Sequence, residues 1–273
     1  MKHISRLFAV VMAIAMVILS GCKKADANDN GVGGSTNVVP VGAVNGLFSV
    51  SDNQKVFFSQ GNLQYNTTTN IWRFSEHQYD YINQNLYSNY WMDLFGWGTG
   101  NAPTNVLIEG DYSNYSEWGN NTISNGCDTI VWRTLTKEEW NYVIDVRNTN
   151  SGIRYAKAQI GEINGVVLLP DNWNDNIYTL NNSNCFDVNY DSNIVDVSDW
   201  LTKFETNGAV FLPAGGFRNN YVVGAGGEVG HYWSSTEIYN SLAWMFCFGN
   251  DFLNIAGNNR WFGYSVRLVC DVQ

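Results

Sequence analysis

Aromatic residues are the feature of this chain that most restricts its fold. The 273 residues include 11 Trp, 15 Tyr and 14 Phe, and only 15% of the residues are charged. Long helices favour Ala, Leu, Glu and Lys, whereas aromatic residues favour strands and the abundant Gly and Asn favour turns. The composition therefore predicts short strands and many loops, with aromatic side chains filling the core.

Residues 1–21 have the pattern of an export signal. Lys2 and Arg6 precede an apolar run over residues 7–19, which suits a signal peptide and is too short to span a bilayer. The run ends in Leu-Ser-Gly before Cys22, and this sequence resembles the lipobox of bacterial lipoproteins. The resemblance implies cleavage before Cys22, lipidation of its thiol and anchoring at the outer membrane or the cell surface.

The rest of the chain divides into a tether and a folded part. Residues 22–45 are rich in Asn, Gly, Asp and Ser and predict a flexible tether, so residues 46–273 remain for one large domain. The formal charge of the whole chain is -10, and the signal peptide contributes two of its positive charges. Nucleic acids and anionic lipid surfaces require a basic face, so we expect neither as a partner.

Two helices are predicted in the middle of the domain. Thr136 and Glu139 have the spacing of a capping box, and Trp140 begins an apolar face at helical spacing. A second helix begins at Ser198, and Gly208 occupies the C-cap position beyond its end. The helices are segregated from the strands along the chain, which favours an α+β fold over a parallel α/β fold.

Strands are predicted on both sides of these helices. Residues 46–65 indicate two short strands around an Asp-Asn turn, and the Gly-apolar-Pro segments 165–170 and 208–213 suggest equivalent positions in a sheet. Toward the C-terminus we predict a Gly-rich loop over residues 214–230 and a polar loop over 250–259. Three strands are predicted around these loops, at residues 231–235, 242–248 and 264–269.

Five segments, in this order and spacing, resemble a known family: WRTLTKEEW, LLPDNW, FLPAGGFR, HYWSST and YSVRLV. The family comprises secreted bacterial proteins with a C-type-lectin-like fold, which formylglycine-generating enzymes share. It includes surface lipoproteins and ligand-binding proteins diversified by retroelements. The resemblance runs from about residue 46 to 269. It implies a small twisted antiparallel sheet with two main helices and long loops, whose last strands form the ligand surface and set specificity.

The tail has side chains suited to such a surface. Strand alternation directs Phe246 and Phe248 inward and Met245 and Cys247 outward. Rings supply rigid contact area and short amides supply adaptable hydrogen bonds, although Asn also occurs in ordinary solvent loops for its turn conformations. We predict a site for an external protein or glycan at Ile238, Tyr239, Asn240, Met245, Cys247, Asn250, Phe252, Asn254, Asn258, Trp261 and Phe262.

Catalytic and metal-binding patterns are weak, and we expect neither an enzyme nor a cofactor. After the signal peptide only His77 and His231 remain, too few for a histidine metal cluster. A structural calcium stays open at Asp187, Asn189, Asp191 and Asn193, although this EF-hand-like segment lacks the required Gly and Glu.

Cysteine spacing bears on the alternatives. Cys247 and Cys270 are far apart in sequence for the reactive pair of formylglycine-generating enzymes, and the four cysteines after Cys22 allow three disulfide pairings. An enzyme on the same scaffold and a structural subunit of a surface appendage remain the alternatives to a binding protein.

Overall fold

The structure is a computed structural model that describes residues 38–83, 90–239 and 241–272. The predicted signal peptide, the lipidation site Cys22, most of the tether and Asn240 lie outside these residues. Residues 38–45, assigned to the tether from the sequence, already contact the domain, because Val44 is 5% exposed and its N–H bonds to the Phe58 carbonyl. No helix within the described ranges is long and apolar enough to cross a bilayer.

Short strands form most of the fold. In chain order they are β1 (Phe48–Ser49), β2 (Lys55–Phe58), β3 (Leu63–Asn66), β4 (Trp72–Phe74), β5 (Trp91–Met92), β6 (Trp132–Thr134), β7 (Tyr155–Ile160), β8 (Ile163–Leu168), β9 (Ile194–Val195), β10 (Val210–Pro213), β11 (Phe217–Asn219), β12 (Val222–Gly224), β13 (Gly230–Tyr239), β14 (Leu242–Phe248), β15 (Leu253–Asn259) and β16 (Leu268–Asp271). Within the described residues they form five small sheets, ordered β1-β2-β16-β6, β10-β8-β7-β9, β11-β12, β13-β14-β15 and β4-β3-β5.

The two Gly-apolar-Pro segments are direct neighbours in one sheet. β10 pairs antiparallel with β8, so that Val210 lies opposite Leu168 and Pro213 opposite Gly165. Val210 and Leu168 enter one apolar cluster, whereas the next residue, Phe211, enters another. Both faces of this sheet are therefore buried, which explains the continuous apolar runs of its strands.

The first predicted helix is present but short. α1 is Lys137–Asn141, and both hydrogen bonds of the capping box between Thr136 and Glu139 are formed, as predicted. It continues as a π-helical turn over Tyr142–Val146. The β-branched residues of this turn have low helix propensity, so the segment extends no further.

The second helix begins one residue earlier than predicted. α2 is Val197–Asp199, and it continues through a π-helical turn, Trp200–Phe204, and a 3-10 turn, Glu205–Asn207. Gly208 ends it with a φ of 82°, in the left-handed region where glycine avoids the strain of a side chain. The predicted C-cap is thus confirmed.

The predicted α+β class and C-type-lectin-like fold are wrong for this chain. Among the described residues, strands account for 35% and helices for 12%, and the strands are divided among several small sheets. The helix signals were local, and they specified the beginning of each helix to within one residue without supporting more than a few turns. Segments that were predicted as loops because of their Gly and Asn content form β11, β12 and β15 instead.

Three apolar clusters hold these sheets together. Trp140 lies in the first cluster, stacked on Phe246 at 5.1 Å, and the indole of Trp118 lies in the second. The third cluster lies around Trp200, which stacks on Phe204 at 5.5 Å. The sheet of β13, β14 and β15 separates the first two clusters. Aromatic side chains therefore fill the space between sheets, as the composition predicted.

Candidate ligand-binding surface

Residues 253–259 form a strand, β15, where the sequence predicted part of a polar loop over 250–259. β15 pairs with β14 along its whole length, from Leu253 opposite Phe248 to Asn259 opposite Leu242. Its sequence, LNIAGNN, has few residues that favour strands, so it carries no local strand signal. The strand forms because a tight turn returns it to β14, with the Gly249 N–H bonded to the Phe252 carbonyl at 2.9 Å.

Met245 and Cys247 do not face solvent, contrary to the prediction. Each is only 4% exposed and lies in the second apolar cluster, whereas Phe246 and Phe248 enter the first. Alternation along β14 correctly placed the two pairs on opposite faces. The sequence did not show that a further layer, which includes Tyr264, covers the supposedly outward face.

Beside this buried face, β15 brings amides close to solvent. Cross-strand partners share a face of a sheet, so Asn254 lies beside Cys247 and Asn258 lies beside Ala243 on the same face. Aromatic residues of neighbouring segments flank the two amides, and all of these side chains are exposed or half-buried. We define the aromatic–amide patch as Phe217, Phe252, Asn254, Asn258, Trp261 and Phe262.

The rings of the patch belong to a continuous stack. Tyr264 lies beneath it, with its ring 4.6 Å from His231 and 5.9 Å from Phe262 at interplanar angles of 12° and 3°. Trp261 extends the stack 6.1 Å beyond Phe262, and Phe217 meets Phe262 edge-on at 5.9 Å. Mutual packing holds these rings in place, so they offer contact area that is already ordered.

The amides of the patch are also held. The Nδ2 of Asn258 donates to the Tyr264 hydroxyl at 2.7 Å, and the Cys247 thiol donates to Oδ1 of Asn254 at 2.8 Å. Among the described residues, none accepts a hydrogen bond from Nδ2 of the exposed Asn254. The patch thus combines fixed rings with an amide that can still donate, and its six side chains carry no charge.

The remaining predicted site residues lie elsewhere. Tyr239 is 63% exposed but pairs with Leu242, five positions along β14 from Cys247, the partner of Asn254. At about 3.4 Å per residue this separation is about 17 Å. Ile238 is half-buried toward Gly257, and Asn250 is exposed in the turn. Phe217 was missed, because no signal in the sequence connects β11 to the tail.

Lys157 also escaped the sequence analysis. Its fully buried ammonium donates to the carbonyls of Gly249 at 2.6 Å and Asn250 at 3.1 Å, both in the turn before β15, and to that of Phe186 at 2.5 Å. Burial lowers the pKa of Lys157 to about 8. The side chain ties the β14–β15 turn to the sheet that contains β7.

The thiols lack the surroundings of a reactive cysteine. Burial raises the pKa of Cys247 to about 12, and burial together with the charge of Asp271 raises that of Cys270 to about 12. A nucleophilic cysteine requires a lowered pKa. Cys185, Cys247 and Cys270 are free thiols, so none of these three pairs with another.

The part of the chain that the structure describes contains no group of three or more His, Cys, Asp or Glu side chains that could hold a metal ion. In the EF-hand-like segment, Oδ1 of Asn193 accepts the Asn181 N–H at 2.7 Å. The Nδ2 of Asn193 donates to the carbonyls of Lys157 and Asn181. The side-chain amide of Asn193 therefore bonds to main-chain groups of the protein and stabilises the conformation of this segment.

Two titratable groups, the buried Asp93 and the half-buried His231 under the patch, give opposite pH dependences. Burial raises the pKa of Asp93 from 3.8 to about 7, although a hydrogen bond from the Ile82 N–H acts to lower it. Burial lowers the pKa of His231 from 6.5 to about 4. Between pH 4.5 and 6.5 the folded state keeps a proton on Asp93, and the unfolded state binds one at His231. The two groups therefore make opposite contributions to the pH dependence of the free energy of unfolding, and these contributions cancel in the wild type.

Single substitutions should expose each slope. Asp93→Asn leaves the His231 contribution, so the free energy of unfolding should rise by about 2 kcal/mol from pH 4.5 to 6.5. His231→Phe leaves the Asp93 contribution, and stability should fall by a similar amount over the same range. Urea unfolding at several pH values measures both slopes, and parallel slopes for the two variants would contradict this assignment.

A comparison with protein families matches part of the chain. Residues 174–269 are similar to a family model described as a domain of unknown function (DUF8237). The matched segment begins before α2 and contains the whole aromatic–amide patch, but not Lys157. No curated protein and no solved structure matches the chain.

Proposed function

We propose that this protein is a lipid-anchored surface protein that binds an external ligand, a protein or a glycan, through the aromatic–amide patch. The observation that carries the proposal is the stack of Trp261 and Phe262 on Tyr264, beside the held amides of Asn254 and Asn258. Ordered aromatic rings with adjacent hydrogen-bonding groups are the usual anchors of binding surfaces.

The position of the patch supports this role. β15 pairs along its whole length with β14, whose residues 245–248 are buried, so binding would require little reorganisation of the backbone. The uncharged character of the patch favours a ligand recognised by stacking and hydrogen bonds. Neither nucleic acid nor an anionic lipid surface is part of the proposal, because both require a basic face.

Binding can be tested with the soluble chain from residue 23 on arrays of glycans and of secreted proteins. Trp261→Ala and Asn254→Ala should each weaken binding of an array hit, by about tenfold or more for Trp261. Tyr239→Ala is the matched control, because this exposed aromatic residue lies outside the patch. Equal losses for Trp261→Ala and Tyr239→Ala, or no loss for either patch variant, would contradict the proposal.

The lipid anchor is tested separately. Cells expressing the full chain should incorporate a clickable fatty-acid analogue into the wild type and not into Cys22→Ser, because the thiol is the acceptor of the lipid. The substituted protein should leave the membrane fraction. Cys185→Ser is the control, and incorporation into Cys22→Ser would refute anchoring at this cysteine.

A further inference from the structure

The outer edge of β15 differs from the other sheet edges of the described chain. Most edge strands are two to four residues long, which limits the main-chain groups that they offer. β13 is longer, but its edge is covered, because Trp233 N–H bonds to Ser265 and Ser235 N–H bonds to Leu135. β15 has seven residues and pairs only with β14 among the described strands.

The hydrogen bonds that flank β15 show which groups point outward. Gly249 N–H bonds to the Phe252 carbonyl, and Arg260 N–H bonds to the Ser241 carbonyl. Hydrogen-bonded and non-hydrogen-bonded pairs alternate in an antiparallel ladder, so the even-numbered residues from 252 to 260 bond to β14. Leu253, Ile255 and Gly257 therefore direct both N–H and C=O away from the sheet. In the described structure no group bonds to these six atoms.

The usual protections of a free edge are also missing from β15. Proteins guard such edges with Lys, Pro, bulges or a covering segment. β15 contains neither Lys nor Pro, and its register with β14 continues from Leu253 to Asn259 without a shift. Such an edge is a template for another extended chain.

We propose that the outer edge of β15 binds an extended, uncharged segment of a partner protein as an additional antiparallel or parallel strand. This inference rests on the proposed binding function and names the partner class for the same region. Outward N–H and C=O groups that repeat every second residue, about 6.8 Å apart, match a polypeptide backbone, and a glycan lacks this repeat. Side chains of the added strand would lie beside Ala256 on the patch side and Ile255 on the other.

The probe is a phage-displayed library of nine-residue peptides without cysteine, selected on the immobilised soluble chain. A synthetic peptide from this selection should bind the wild type and bind Ile255→Pro about tenfold more weakly, because proline removes an outward N–H without breaking a bond to β14. Ile255→Val keeps that N–H and should bind within about twofold of the wild type.

A second measurement does not depend on how well Ile255→Pro folds. Methylation of single backbone nitrogens of the peptide should weaken binding to the wild type at every second position and spare the positions between. A flat methylation profile, or a selection that enriches no peptide on the wild type over Ile255→Pro, would overturn the inference.

Two further outcomes separate this inference from the proposed function. If array ligands lose binding with Trp261→Ala and no peptide uses the edge, the patch binds by side chains alone and only the inference fails. If light scattering shows a wild-type dimer that Ile255→Pro abolishes, the edge belongs to a second copy of the chain, and the assignment to a partner protein is wrong.

Discussion

Replacing Asp171 with Ala is expected to lower the free energy of unfolding by about 3–5 kcal/mol, because it leaves a buried charge without its counterion. The side chain of Arg147 is fully buried, and its Nη1 lies 3.2 Å from Asp171 Oδ1. Burial lowers the pKa of Arg147 to about 10, whereas the charge of Asp171 raises it. Without Asp171 this cation would lose its one nearby anion among the described residues.

Asp171 also joins separate parts of the domain. It accepts hydrogen bonds from the N–H and the hydroxyl of Ser49 in β1, the latter at 2.6 Å, and it pairs with Lys55 of β2 at 3.0 Å. Arg147 in turn donates to the carbonyls of Val143 and Arg154. The pair therefore connects β1 and β2 to the end of the first helix and the segment after β8.

Urea unfolding followed by tryptophan fluorescence measures this loss. Asp175→Ala is the matched control, because this exposed carboxylate lies four residues further along and should change stability by no more than about 0.5 kcal/mol. A loss below about 1 kcal/mol for Asp171→Ala would show that Arg147 finds solvent or another partner.

Replacing Lys157 with Met is expected to cost about 2–4 kcal/mol, since three main-chain carbonyls lose their donor in a buried site. Two of these carbonyls, of Gly249 and Asn250, belong to the turn that precedes β15. The turn should therefore loosen more than the rest of the domain. Hydrogen exchange of the Gly249 amide, which bonds to the Phe252 carbonyl, should accelerate, while that of β8 should change little.

Lys203→Met is the control for the loss of a lysine charge. Lys203 is 45% exposed in its side chain and pairs with Asp199 at 3.0 Å, a surface contact that contributes about 0–1 kcal/mol. If both variants lose the same stability, or if exchange of the Gly249 amide is unchanged in Lys157→Met, the ammonium does not hold this turn.

The candidate site was only partly accessible from the sequence. Ring and amide residues of the tail were recognised, and the structure brings Phe252, Asn254, Asn258, Trp261 and Phe262 to one surface. It places Tyr239 far from Asn254, at the other end of the sheet. Phe217 and Lys157 reach the site from distant segments, and contacts between distant segments leave no periodic pattern in a sequence.

The fold shows the same division. Local chemistry was sufficient for the capping box at Thr136, the C-cap at Gly208 and the extent of β14, because each depends on residues that are neighbours in sequence. The α+β class failed because these local signals do not determine how many strands pair or how far a helix continues.

The amino-acid sequence alone thus determined helix beginnings, the aromatic core and the alternation of Phe246 and Phe248 with Met245 and Cys247. Only the tertiary structure decided that both faces of β14 are covered and that an Asn- and Gly-rich segment becomes β15. The physical reason is that burial and strand pairing depend on partners supplied by distant parts of the chain. Side-chain alternation along a strand predicts that its two faces differ, whereas packing against other segments decides which face is exposed to solvent.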